Sequence, residues 1–122
     1  MKFENVCLES IAVALPEEIW TSSDIEERLR PLYERLKLPF GRLELMTGIR
    51  ERRISHVSLE ELAYVASERA LAAAGMEGSE LDLIVFGTCS HDDQVPNMAS
   101  GIQTRVGASH AAAMDVNTEC TS

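Results

Sequence analysis

The side chains in this sequence that could act as nucleophile or base are few: Cys7, Cys89 and Cys120, with His56, His91 and His110. Cys120 has the most distinctive setting, because it ends the run DVNTEC directly after the apolar stretch AAAM. If a strand ends there and a helix begins, the thiol meets unpaired backbone N–H groups and the positive end of a helix dipole. Both favour the thiolate, the form that attacks acyl carbon. The competing reading is that Cys120 is a small buried hydrophobe, the usual state of an intracellular cysteine. Cys7 and Cys89 lie inside strand-like patterns, and buried structural thiols are the expectation for both. Three cysteines without a CxxC pair suit neither a disulfide framework nor a zinc site, so no metal is expected.

Charge supplies the next clue. The net charge of −9 over 122 residues argues against nucleic acid or an anionic membrane surface as partner, since either needs a basic face. Between Arg28 and Arg53, however, eight cations (Arg28, Arg30, Arg35, Lys37, Arg42, Arg50, Arg52, Arg53) face three acids, a local +5 that leaves −14 for the remainder. Such a block can receive a phosphate-bearing ligand or an acidic carrier. It can equally be a solvated helix whose Glu and Arg residues pair across turns.

Elements of an α/β fold must position these groups. Ile11, Val13 and Leu15 alternate as in a first β-strand ending at Pro16. TSSDIEERLRPLYERLKL reads as a helix with a capping box from Ser23 to Glu26, kinked or divided at Pro31. SLEELAYVASERALAAAG reads as a helix capped by Ser58 and Glu61 and stopped by Gly75. Its inward stripe (Leu59, Leu62, Ala63, Ala66, Ala70, Ala73) is small enough for close approach to the strand that follows. LDLIVFGT has the continuous apolar character of a strand buried on both faces. PNMASGIQTRVG reads as a short helix between Pro96 and Gly107, and AAAMDV as a further strand. Strands alternating with helices imply a parallel sheet, with ligands gathering beyond the carboxyl ends of the strands, where NTEC lies. At 45% hydrophobic, the 122 residues amount to one core-forming domain without an interdomain linker, and no run is long and apolar enough for a membrane span. A soluble, cytoplasmic protein is expected.

LPEEIWTSSDIEE, TGIRERR, LIVFGTCS, VPNMAS with GIQTRVG, and DVNTEC together resemble the amino-terminal portion of ketoacyl synthase III enzymes of the thiolase superfamily. The resemblance covers essentially all of residues 1–122. It implies a thiolase-like layered α/β/α/β/α fold, of which this chain holds the amino-terminal part of the first half, and a homodimer. It also implies that Cys120 is acylated by acyl-CoA and that a carbanion from malonyl-ACP or malonyl-CoA then attacks the thioester. The product is a 3-oxoacyl chain made by Claisen condensation without a further cofactor, with acyl carrier protein as a possible partner. Substrate-binding positions carried over are Arg42, Thr47 and Val95. The family's histidine and asparagine belong to a second half. His56, His91 and His110 do not fit that histidine motif and read as surface or loop residues. The 122 residues therefore read as the front of a larger enzyme, inactive alone, with strand edges and an apolar face uncovered.

Certain positions depart from the fatty-acid initiating pattern. Arg42 and Met46 stand where a tryptophan and an arginine clasp the adenine of CoA, and Arg42 can replace the stacking and pair with phosphate. Glu119 stands beside Cys120 where small residues are usual, and a carboxylate there opposes thiolate formation. RPLYERLKLPFGRLELMTG is closer to olefin-forming enzymes that join two acyl thioesters without decarboxylation, although those carry glutamate where this chain has Val95. The alternatives are therefore such a condensation or acyl transfer, and, from another class, a non-catalytic thiolase-fold subunit.

Overall fold

In the computed structural model, residues 4–90 and 95–117 are described. The chain divides into two compact units, Leu15–His56 and a second assembled from Met1–Ala14 and Val57–Ser122.

The Leu15–His56 unit contains strand β1 (Ile19–Thr21), helices α1 (Ser22–Arg28), α2 (Arg30–Leu36) and α3 (Arg42–Thr47), and strand β2 (Glu51–Arg53). The capping box of α1 lies two residues earlier than the Ser23–Glu26 spacing predicts. Thr21 accepts the Asp24 N–H at 3.0 Å, and the Asp24 carboxylate accepts the Thr21 N–H at 2.8 Å. A box can form only where the chain leaves its extended path, and here that point is the end of β1. Pro31 divides the helix as expected, with the break at Leu29. Glu26, released from capping α1, turns inward to 1% exposure. Its carboxylate accepts the N–H groups of Gly41 at 2.6 Å and Leu43 at 2.7 Å, and the Tyr33 hydroxyl at 3.1 Å. Gly41 has no side chain with which to cap α3, so a carboxylate from α1 fills that role across the unit. β2 then pairs antiparallel with β1, Trp20 opposite Arg52, a pairing the alternating helix–strand pattern did not predict.

The second unit contains helix α4 (Leu59–Ala74), strand β3 (Leu83–Gly87), helix α5 (Met98–Arg105) and strand β4 (Ala112–Val116). The Ser58 hydroxyl accepts the Glu61 N–H at 3.1 Å, and Gly75 ends α4 in the left-handed region at φ +67°. β3 and β4 pair in parallel, in register from Leu83 opposite Ala112 to Gly87 opposite Val116, with α5 as the crossover between them. The core is small: Met98, Ala99 and Ile102 from α5, with Ala108 and Ala111.

Three expectations for this unit change. β3 is covered on one face rather than two, because Leu83, Val85 and their neighbour Met114 on β4 stay about half exposed. The alternating segment ending at Leu15 joins no strand ladder among the described residues, and its large side chains Ile11 and Val13 point outward. What holds it is the Ser10 hydroxyl donating to the Ala70 carbonyl at 2.8 Å and Arg69 donating to the Val13 carbonyl at 2.8 Å. Alternation fixes which side chains share a face, but a strand also needs a partner backbone. Finally, Ala73 is exposed, and α4 makes its close approach to α5. A Cβ on Gly101 would stand 2.7 Å from the Glu60 carboxylate. Arg105 ties the two helices, pairing with Glu61 at 2.7 Å with its guanidinium 3.7 Å from the Tyr64 ring centre. Each apolar side chain left half exposed on the open face of β3 and β4 forgoes part of the roughly 1.5–3 kcal/mol that full burial contributes. No helix among the described residues is long and apolar enough to cross a membrane.

Candidate active site

TGIRERR is built as a turn between α3 and β2. Thr47 closes α3, its hydroxyl donating to the Leu43 carbonyl at 2.6 Å and accepting the Ile49 N–H at 3.2 Å. Gly48 follows at φ +69°, a left-handed conformation that glycine adopts without Cβ strain. Arg52, on β2, reaches back to donate to the Ser22 hydroxyl at 2.8 Å and toward Thr47 Oγ1 at 3.4 Å, while Ser22 donates to the Ile49 carbonyl at 2.5 Å. The Thr47 hydroxyl is thus committed to the turn, with its hydrogen already donated. Its part in any site is to hold the shape of the loop.

Most of the basic block is likewise engaged internally. Arg28 stacks 3.6 Å from the Trp20 ring centre, Arg30 pairs with Glu27, Arg50 pairs with Glu44 at 3.3 Å, and Arg53 donates to the carbonyls of Pro16 and Glu17. Arg35, Lys37 and Arg42 stay exposed, and the structure gives their side chains no hydrogen bond or ion pair with a described residue. Of these three, Arg42 lies nearest TGIRER, on the first turn of α3. The three are what the block still offers to a ligand phosphate.

In the second unit the carboxyl ends of β3 and β4 lie side by side, since the pairing continues from Thr88 N–H to the Val116 carbonyl at 3.2 Å. β4 leads into Asn117; Cys120, the predicted nucleophile, lies outside the described residues, as do Glu119 and His91. Val95 precedes Pro96 in the loop before α5 and is 89% exposed. Asp115 on β4 was not singled out in the sequence. Its carboxylate accepts the first two N–H groups of α5, Met98 and Ala99, each at 2.9 Å. The available signal was the aspartate of DVNTEC itself, which stands five positions before Cys120.

The other thiols are placed differently from the sequence reading. Cys7 and Cys89 are both exposed rather than buried. The Cys7 thiol donates to the Glu9 carboxylate at 2.9 Å, and that hydrogen bond, with the charge of Glu9, pushes its pKa up. A thiol held protonated is a poor nucleophile. His56 and His110 are exposed, as expected; His56 pairs with Glu18. An apolar groove between α4, β3 and α5, lined by Ala70, Leu71, Leu83, Ile84 and Ile102, contains none of the predicted site residues.

No protein-family model matches the chain. Individual relatives do. The β-ketoacyl-(acyl-carrier-protein) synthase III 2 of Vibrio cholerae serotype O1 is 48% identical over 79 residues, 65% of this chain and 22% of that protein. The acyl-CoA:acyl-CoA alkyltransferase of Shewanella oneidensis is 34% identical over 124 residues, 98% of this chain and 35% of that protein. Among solved structures, the 3-oxoacyl-(acyl carrier protein) synthase III of Xanthomonas oryzae pv. oryzae superposes with a TM-score of 0.88 at 31% identity, covering 96% of this chain and 36% of that one. The chain belongs to the ketoacyl synthase III-like enzymes of the thiolase superfamily. Its fold is accordingly thiolase-like α/β, and it spans between about a fifth and about a third of the length of these relatives.

Proposed function

We propose that the complete protein is an acyl thioester condensing enzyme with Cys120 as its nucleophile. The observation that supports this most directly is β4, one of a parallel pair, running into DVNTEC at its carboxyl end in a chain of this family. In the reading, the Cys120 thiolate attacks the carbonyl of an acyl-CoA and expels the CoA thiolate. A malonyl thioester then loses carbon dioxide, and the resulting carbanion attacks the enzyme thioester. A carbon–carbon bond forms, the Cys120 thiolate departs, and a 3-oxoacyl thioester is released. These steps draw on no metal or further cofactor. Arg42 would meet the phosphates or adenine of CoA, Thr47 would hold the loop beside it, and Val95 would border the acyl pocket of a homodimer. A cytoplasmic location and an acyl carrier protein as acceptor belong to the same proposal.

A second reading is favoured by the Shewanella relative, which aligns with nearly the whole chain and is named for joining two acyl-CoA molecules. There the carbanion would come from a second acyl thioester by loss of a proton rather than of carbon dioxide. Incubating the complete protein with acyl-CoA tests the common step. A mass adduct on the peptide containing Cys120, lost in Cys120→Ser, is expected, whereas an adduct on Cys7 or Cys89 overturns the assignment. Release of labelled carbon dioxide from a malonyl thioester then separates the two readings.

A further inference from the structure

We infer that Glu26 is a positioning residue that sets the backbone of Arg42 for a CoA phosphate; this rests on the reading above in which Arg42 meets the CoA of the thioester. All of the residues involved lie in the Leu15–His56 unit. α3 buries none of its six residues, with Leu45 and Met46 at 85% and 68% exposure, so side-chain packing does little to fix where it starts. Its N-cap, Gly41, has no side chain to accept the free N–H groups of the first turn. One carboxylate does both. Glu26 accepts the Gly41 N–H at one oxygen, at 2.6 Å, and the Leu43 N–H at the other, at 2.7 Å, and these are the residues on either side of Arg42. Charge-assisted bonds at both oxygens define direction as well as distance.

Glu26 is itself held in place. The buried Tyr33 donates its hydroxyl to the carboxylate at 3.1 Å, and its ring packs 5.4 Å, centre to centre, from that of Phe40, the residue before Gly41. Four positions before Glu26, on the same face of α1, the buried Ser22 donates to the Ile49 carbonyl just past the far end of α3. These two are the buried residues of α1, and with them it grips the chain on both sides of α3. A buried carboxylate or hydroxyl is costly to leave without partners, so the fit of α3 to α1 is specific. Arg42 extends from this fixed backbone, exposed and without a hydrogen bond or ion pair to a described residue. A long side chain captures a phosphate at lower entropic cost from a fixed backbone than from a moving one.

The test measures KM and kcat for acyl-CoA in the complete enzyme. Glu26→Gln keeps the shape but turns an amide N–H toward one of the two backbone donors, and is expected to raise KM about fivefold while kcat stays within about twofold. Tyr33→Phe removes the hydroxyl that steadies the carboxylate but leaves both backbone bonds, and should raise KM less. The deciding comparison is made in an Arg42→Ala background, where adding Glu26→Gln should move KM by less than about twofold, because the side chain it positions is gone. Ser58→Ala removes the N-cap of α4 and serves as a destabilised control with an unchanged KM. A wild-type KM in Glu26→Gln, or an undiminished rise on top of Arg42→Ala, overturns the inference. So does a failure of both Glu26→Gln and Tyr33→Phe to fold, since Glu26 would then be a folding requirement rather than a positioning residue. If Arg42→Ala by itself leaves KM at the wild-type value, the CoA-contact reading fails instead, so the two failures are distinguishable.

Discussion

The carboxylate of Glu26, on α1, accepts the backbone N–H of Leu43, on α3, at 2.7 Å in a site that water barely reaches. That bond, joined by those from Gly41 and Tyr33 and opposed by burial, holds the Glu26 carboxyl below its ordinary 4.5. Because the folded value is the lower one, the stabilisation is complete above the unfolded value and is lost as pH falls through the folded one. Glu26→Gln should therefore lower the melting temperature of the complete protein at pH 7. The difference from wild type should shrink below about pH 4.5. Thermal melts of both proteins from pH 3 to 7 check this, and a pH-independent difference would refute it.

Arg42 is free of ion pairs with described residues and sits beside TGIRER. If it meets a thioester phosphate, Arg42→Glu should raise KM for acyl-CoA about tenfold or more while kcat stays within about twofold, the pattern of lost uniform binding. Steady-state kinetics at several salt concentrations are the measurement. Unchanged KM throughout would return the block to a solvated surface.

Two glycines should respond differently to alanine. A Cβ at Gly78 would stand 1.8 Å from the Val106 carbonyl oxygen, a backbone atom that cannot step aside. Gly78→Ala should cost about 3 kcal/mol, the upper end of overpacking. At Gly101 the neighbour is the end of the Glu60 side chain, which can rotate away, and alanine favours a helix interior. Gly101→Ala should change stability by less than about 1 kcal/mol. Urea unfolding of the two variants gives the comparison directly.

If Val95 borders the acyl pocket as proposed, its small side chain leaves room that a large ring would fill. Each additional buried methylene is worth about 0.8 kcal/mol, or about fourfold in preference. Val95→Phe should therefore shift the optimum of an acyl-CoA series toward shorter chains. An unmoved optimum in an intact dimer would show that pocket length is set elsewhere.

Much of this protein was legible before its fold was seen, because local rules decide local structure. Ser58 and Gly75 bound α4, Pro31 divides the first helix, and Pro96 and Gly107 bracket α5, each through its own backbone constraint. The family motifs were legible for the same reason: they are short and contiguous. Partnership across the chain was not. The Thr21–Asp24 box replaced the Ser23–Glu26 one because β1 ends at Thr21, and that end depends on pairing with β2 some thirty residues later. Glu26 and Asp115 look in sequence like any other acids, yet each caps a helix from a different element. Whether Ile11 and Val13 form a paired strand, and whether Leu83 is covered on one face or two, depends on which backbone and which side chains arrive alongside. Alternation and apolarity record what a residue can bury or bond; only the tertiary structure brings the partner that settles whether it does.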